Sequence, residues 1–214
     1  MSGPELSLVD GVNVKETVEN ARTVEKKLDA VLSKFKVNIG DAKGATKAVE
    51  VALSKGSQKT WEEFLVANPG KSIEEASSSY INLIEGQSPW PEGFDTAANT
   101  TVLKPGDTFQ MALDEAQPVT SPGNFATYDN IPNTDFVRNN LAVKSDWKTD
   151  CSKVVTYRVK EGVELPVIKG PVGPQIDLNA DKYLPGGGSQ IQMLLDRSIN
   201  KMDYLEIVSV RSIK

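Results

Sequence analysis

Tyr183-Leu-Pro-Gly-Gly-Gly-Ser-Gln190 is the stretch of this 214-residue chain on which its reading turns. Glycine loses more conformational freedom on folding than any other residue, so three in a row are costly. Chains accept that cost where backbone must turn sharply or approach a ligand closely. The glycines lead directly into a predicted strand opened by Gln190. Its amide donates and accepts at once, which suits holding a ribose hydroxyl or an attacking water. Taken alone, the loop also reads as a flexible lead-in to an edge strand. It lacks the Lys-Ser/Thr ending of a Walker loop, and no strand–glycine–helix unit makes it a dinucleotide fingerprint.

Working outward, the region around this loop reads as strands. Thr100–Lys104, Thr108–Leu113, Lys153–Val159, Leu165–Lys169, Gln190–Leu195 and Leu205–Val210 are predicted strands, rich in β-branched and aromatic residues. Turn chemistry separates them at Lys104-Pro-Gly-Asp107, Ser121-Pro-Gly123, Ile131-Pro-Asn133 and Gly170-Pro-Val-Gly-Pro174. A short helix is expected over Asn139–Trp147. Further upstream, Gly86-Gln-Ser-Pro-Trp-Pro-Glu-Gly93 holds two prolines and two glycines and reads as a linker or the opening of a domain.

Before that segment the pattern is helical. Val14, Val18, Ala21, Val24, Leu28, Val31, Leu32 and Phe35 form one apolar stripe, with Asn13 and Glu16 as a capping pair. The stripe serves either packing in a small bundle or a partner-binding seam. Ala45 to Leu53 with Gly56 as its stop, Trp61/Phe64/Leu65, and Ile73 to Ile84 behind a Ser72/Glu75 capping box give three more helices. The expected fold class is α+β: a helical N-terminal region over 1–86 followed by a compact β-rich domain over 87–214.

Composition narrows the chemistry. The chain contains no histidine, so Ser-His and Cys-His nucleophilic pairs are impossible. One cysteine, Cys151, builds neither a disulfide nor a Cys-only zinc site, and reads as a small semi-buried residue. No metal site is expected. A net charge of −5 without a basic stripe argues against nucleic acid as partner. No apolar run is long enough for a membrane span, and Met1-Ser-Gly-Pro-Glu5 does not read as a signal peptide.

Several segments together carry a resemblance. Gly106-Asp-Thr-Phe-Gln-Met111, Gly123-Asn-Phe-Ala-Thr127, Arg138, Leu165-Pro-Val-Ile-Lys-Gly-Pro-Val-Gly-Pro-Gln175 and Leu184-Pro-Gly-Gly-Gly-Ser-Gln190 follow one another in an order that resembles the tuberculosis-necrotizing-toxin family of NAD glycohydrolase domains. It covers roughly Thr100 to Leu195, and the closing motif is its most specific part. The resemblance implies an ADP-ribosyltransferase-like β-rich domain, part of a polymorphic or contact-dependent toxin. Such a toxin is secreted or delivered by its producer, acts in the target-cell cytoplasm, and is held in check by a cognate immunity protein. It implies NAD(P)+ as substrate, with no prosthetic group. Gln190 and Arg138 are the implied catalytic residues. Phe125, Arg138, Gly187, Gly188 and Ser189 are implied to bind the dinucleotide, with Arg138 on its phosphates. The chain departs from the family pattern at Gln110 and Met111, where members often carry an arginine. Val18-Glu-Asn20 resembles, over three residues, the boundary motif of contact-dependent inhibition toxins.

Other readings stay open. The same fold could transfer or cyclise ADP-ribose. Lys144, Asp146, Lys148 and Asp150 around Trp147 could serve a nuclease, or form a solvated loop face. Asp177 and Asp181 read either as substitute carboxylates or as solvated turn residues. A non-catalytic interaction module is the remaining alternative.

Overall fold

The computed structural model describes residues 42–214. The predicted helix over Val14–Phe35, its Asn13/Glu16 cap and Val18-Glu-Asn20 lie outside the described residues. The chain divides between Asn82 and Leu83 into two compact units. The fold is α+β, helices first and antiparallel sheets after.

The first unit holds helices α1 (Ala42–Lys55), α2 (Gln58–Ala67) and most of α3 (Ile73–Gly86). Ser57 caps α2 by accepting from the Thr60 amide, and Ser72 and Glu75 close the expected box at α3, at 3.2 and 2.9 Å. Trp61, Phe64 and Tyr80 are buried together, with the Trp61 and Tyr80 rings edge to face at 5.2 Å. The Tyr80 hydroxyl shares a 2.6 Å hydrogen bond with Thr60, so the buried phenol is satisfied.

The second unit is built on strands β1 (Thr100–Leu103), β2 (Thr108–Leu113), β3 (Phe125–Ala126), β4 (Lys153–Val159), β5 (Leu165–Pro171), β6 (Gln175–Asp177), β7 (Lys182–Leu184), β8 (Ser189–Met193) and β9 (Leu205–Ser212). They form a four-stranded sheet in the order β1-β5-β8-β3, a three-stranded sheet β2-β4-β9, and the hairpin β6-β7. All pairs are antiparallel, and one bridge, Gln110 to Thr127, links the two larger sheets. Alternate residues explain the core. Met111, Leu113, Val155, Tyr157 and Val159 meet Leu165, Val167, Ile191 and Met193 in one buried cluster. The Tyr157 hydroxyl donates to the Val119 carbonyl at 2.7 Å, and burial pushes the phenol up to about 12. On the other face of the three-stranded sheet, Ala112 and Val154 pack with Ile131, Val137 and Cys151. Cys151 is fully buried, and burial raises its thiol above the usual range, which keeps it a packing residue.

Four features differ from the sequence-based expectation. The short helix, α4, spans Thr134–Asn139, because Asn133 caps it by accepting from the Phe136 amide at 2.9 Å. The residues after it form an irregular loop, with Ala142 at φ 47°. Strands β3, β6 and β7 have only two or three residues and no periodicity to reveal them. The Gly86–Gly93 segment is not a free linker. Trp90 is buried and stacks on Phe94 at 4.7 Å, and both rings lie over Gly170, where a Cβ would come within 2.3 Å of Phe94. Finally, Asp177 and Lys144 are buried, not solvated.

Candidate functional site

A cavity of about 390 Å³ opens in the second unit. Residues from β2, β3, β6 and β8 line it, together with the loop after α4 and the segment around Pro89. Its volume lies at the small end of the range for ligand sites.

The strand side of the cavity follows from register. Gln190 stands opposite Gly170, and Phe125 opposite Gln192. Directly paired residues share a face, so Phe125, Gln190 and Gln192 project from one side of the sheet. Ile191 and Met193 project into the core on the other. Gln190 is 7% exposed, and its Nε2 donates to the Pro89 carbonyl at 3.0 Å. That bond orients the amide and leaves Oε1 without a partner among the described residues. Gln175, which sequence reasoning missed, repeats the arrangement: its Nε2 donates to the Ser88 carbonyl at 2.6 Å, and its buried Oε1 is unpaired. Gln110 uses its side chain on the Ile131 amide at 2.9 Å. Phe125 is 43% exposed and borders the opening.

The triple glycine approaches backbone. The Gly186 and Gly188 amides donate to the Asn139 and Asn140 carbonyls, each at 2.9 Å. These are the acceptors that the end of α4 leaves without helical donors. The Gly187 amide takes the Val172 carbonyl at 2.9 Å. A Cβ on Gly186, whose φ is 69°, would lie 2.6 Å from the Val172 oxygen, and one on Gly188 would lie 2.8 Å from the Asn140 oxygen. Ser189 lines the cavity, and Gly187 and Gly188 are not among its lining residues. The Ser189 hydroxyl bonds Thr127 at 2.8 Å and accepts from the Tyr128 amide at 3.0 Å, while its own amide donates to Asp129 at 2.7 Å.

The opposite wall is the loop carrying Leu141, Ala142, Val143, Trp147 and Lys148. It has no ladder, so side chains hold it. The Arg138 guanidinium donates to four carbonyls, those of Val143, Lys144, Lys148 and Thr149, at 2.8–3.1 Å. Arg138 does not itself line the cavity. Asp114 accepts from the amides of Thr149, Asp150 and Cys151 at 2.9–3.1 Å. Asp177 accepts the Ser145 amide and hydroxyl at 2.6 and 2.9 Å and the Ala180 amide at 3.0 Å. Burial would raise both carboxyls, and the donated hydrogen bonds outweigh it and hold both below the usual carboxylate range. Lys144 reaches Gln87 at 3.1 Å and Asp146 at 3.7 Å, with its ammonium 5.1 Å from the Trp147 ring centroid. Lys144 is thus tied into the loop, while Lys148 lines the cavity.

Of the residues singled out in the sequence, Phe125, Ser189 and Gln190 converge on one cavity. Arg138 holds the loop wall through its carbonyls, and Gly187 and Gly188 lie next to the lining residue Ser189 without lining the cavity themselves. The lining holds neutral amides, aromatic rings and one lysine, Lys148, and no carboxylate. Among the described residues, no group of three His, Cys, Asp or Glu side chains is placed to hold a metal ion, and no helix is long and apolar enough to cross a membrane.

No family model and no curated protein matches the chain. Among solved structures it is similar to Tne2 in complex with Tni2, at 25% identity over 58% of this chain and 97% of that one, with a TM-score of 0.46. It is similar to Tse6 in complex with Tsi6, at 16% identity over 79% and 98%, TM-score 0.33. A third likeness is to Rhs1-CT in complex with its cognate immunity protein RhsI1, at 22% identity over 53% and 80%, TM-score 0.32. At TM-scores below 0.5 these likenesses carry no weight for the activity.

Proposed function

We propose that the second unit is an NAD(P)+ glycohydrolase, the catalytic module of a toxin that depletes the cofactor pool of a target cell. The observation that carries this reading is the Gln190 amide, fixed by Pro89 and directed at a largely apolar cavity with no carboxylate in its lining.

The absence of an acid among the lining residues suits this reaction. In NAD+ the pyridinium nitrogen is already cationic. The C1′–N bond breaks with its electron pair moving to that nitrogen, and neutral nicotinamide leaves without protonation. Water then adds to C1′ and releases its proton to solvent. Such a step needs positioning, a dry site and a properly placed acceptor. Phe125 offers an aromatic face to the cationic ring. The Gln190 Oε1 is the acceptor for the attacking water or a ribose hydroxyl. Hydrolysis is favoured over transfer because no lining carboxylate is present to activate an acceptor side chain.

A toxin of this kind is delivered to the target cytoplasm as part of a larger protein. Its producer needs a cognate immunity protein, for which the cavity opening is the natural point of block. Following nicotinamide release from NAD+ and NADP+ with purified protein tests the reading. Release that depends on Gln190 supports it; equal traces from wild type and Gln190→Ala, at the level of the buffer, sink it.

A further inference from the structure

We propose that Lys148 meets the phosphate charge of the substrate and sets a preference for phosphate-bearing over phosphate-free pyridinium ribosides. The inference rests on the glycohydrolase reading and assigns the anion-recognition residue of the same cavity.

Lys148 is the one cation among the residues lining the cavity, and no lining residue opposes it with a carboxylate. Its ammonium donates to the neutral Gln117 Oε1, and no described carboxylate forms an ion pair with it. Three donors sit on that nitrogen, so its hydrogen-bonding capacity is only partly used. Asp114 acts on it only from beyond ion-pair distance, and a cation lining an apolar cleft that has no carboxylate in its lining favours an anionic ligand there.

Two other cations near this wall are differently committed: Lys144 reaches Gln87 and Asp146, and Arg138 holds backbone. Four of its five donors hold loop carbonyls, and one of these is the carbonyl of Lys148 itself, at 2.8 Å. The Lys148 amide is fixed as well, donating to the Lys144 carbonyl at 3.2 Å. Arg138 is therefore a positioning residue that sets the base of the Lys148 side chain. Trp147, 45% exposed, precedes Lys148 along the same wall. Aromatic ring followed by ammonium is the order of groups that a pyridinium ribotide presents: flat cationic ring, ribose, phosphate.

The test is steady-state cleavage of NAD+, nicotinamide mononucleotide and nicotinamide riboside by wild type, Lys148→Met and Lys148→Arg. Binding of ADP-ribose is measured by calorimetry in parallel. Losing one charge-assisted hydrogen bond corresponds to about a 10- to 100-fold loss. Lys148→Met should raise KM for the two phosphate-bearing substrates by about that factor, with a smaller change in kcat. Its selectivity for NAD+ over the riboside should fall accordingly, and ADP-ribose should bind more weakly by a similar factor. Lys148→Arg should retain most of both. A parallel fall for all three substrates would make Lys148 a wall residue and overturn the assignment. So would ADP-ribose binding equal in wild type and Lys148→Met. If wild type binds ADP-ribose through Lys148 but cleaves nothing, the glycohydrolase reading fails and the anion site stands.

Discussion

The two walls of the cavity are built on opposite principles. The strand wall, with Phe125, Ser189 and Gln190, is held by ladder hydrogen bonds between β3, β5 and β8. The loop wall, from Leu141 to Lys148, has no ladder and depends on Arg138, Asp114 and Asp177. A strand wall tolerates the loss of a single side chain, because its backbone pairs remain. A loop wall does not, because each charged side chain satisfies several backbone groups at once, and removing it strands most of them. Substitutions on the strand wall should thus change chemistry first, and those under the loop wall should change stability first.

The largest expected effect is on chemistry. Gln190→Ala should lower nicotinamide release by about 100-fold or more, the scale seen when one oriented polar group is lost from a catalytic site. Its thermal unfolding should shift little, since the β5–β8 pairing is untouched. A large loss of stability with proportionate loss of activity would break the comparison, making Gln190 a structural clamp on Pro89. Next comes Arg138→Ala, which should cost about 1.5–3 kcal/mol in urea unfolding, because the carbonyls of Val143, Lys148 and Thr149 lose a charged donor. Arg138→Lys should recover little, since an ammonium cannot reproduce the guanidinium fork. An Arg138→Ala protein of unchanged stability but raised KM would instead return Arg138 to the role of a ligand contact.

The glycine loop, which joins the two walls, gives a graded test. Gly186→Ala combines a φ of 69° with a Cβ 2.6 Å from the Val172 oxygen, and should cost about 1–3 kcal/mol. Gly187→Ala shares the strained φ, 88°, but meets open space, and should cost about 1 kcal/mol. Equal effects would mean that close backbone approach is not what the loop needs. The smallest effect is in pH. The Asp177 carboxyl has a folded pKa below its unfolded one. Its contribution is full above the unfolded value of about 3.9 and disappears as pH falls through the folded value. Asp177→Asn should therefore be less stable than wild type at neutral pH, and the gap should close in acid. A gap that persists at low pH would assign the effect to packing.

The longer strands were legible because β-branched and aromatic residues such as Val154, Val155, Tyr157 and Val159 cluster between turn signals. Gln190 and Phe125 were legible as residue types in a motif. Gln175 was not. It sits in a three-residue strand after Gly170-Pro-Val-Gly-Pro174, and nothing local marks a glutamine whose partner, Ser88, is 87 positions away. Arg138 shows the converse: its residue type suggested phosphate, yet its donors go to carbonyls up to eleven positions on.

By itself, the sequence determined that helices precede sheets, that catalysis through histidine is closed to this chain, and that backbone approaches something closely at Gly186–Gly188. Those are matters of composition and short-range periodicity. Only the tertiary structure decided which backbone the glycines approach, which is the end of α4 and Val172. It also decided which cation is among the lining residues of the cavity. The reason is that unsatisfied backbone groups in an irregular loop claim whatever donors and acceptors the fold brings near, and that proximity is fixed by sheet register and loop packing, not by neighbours in the chain.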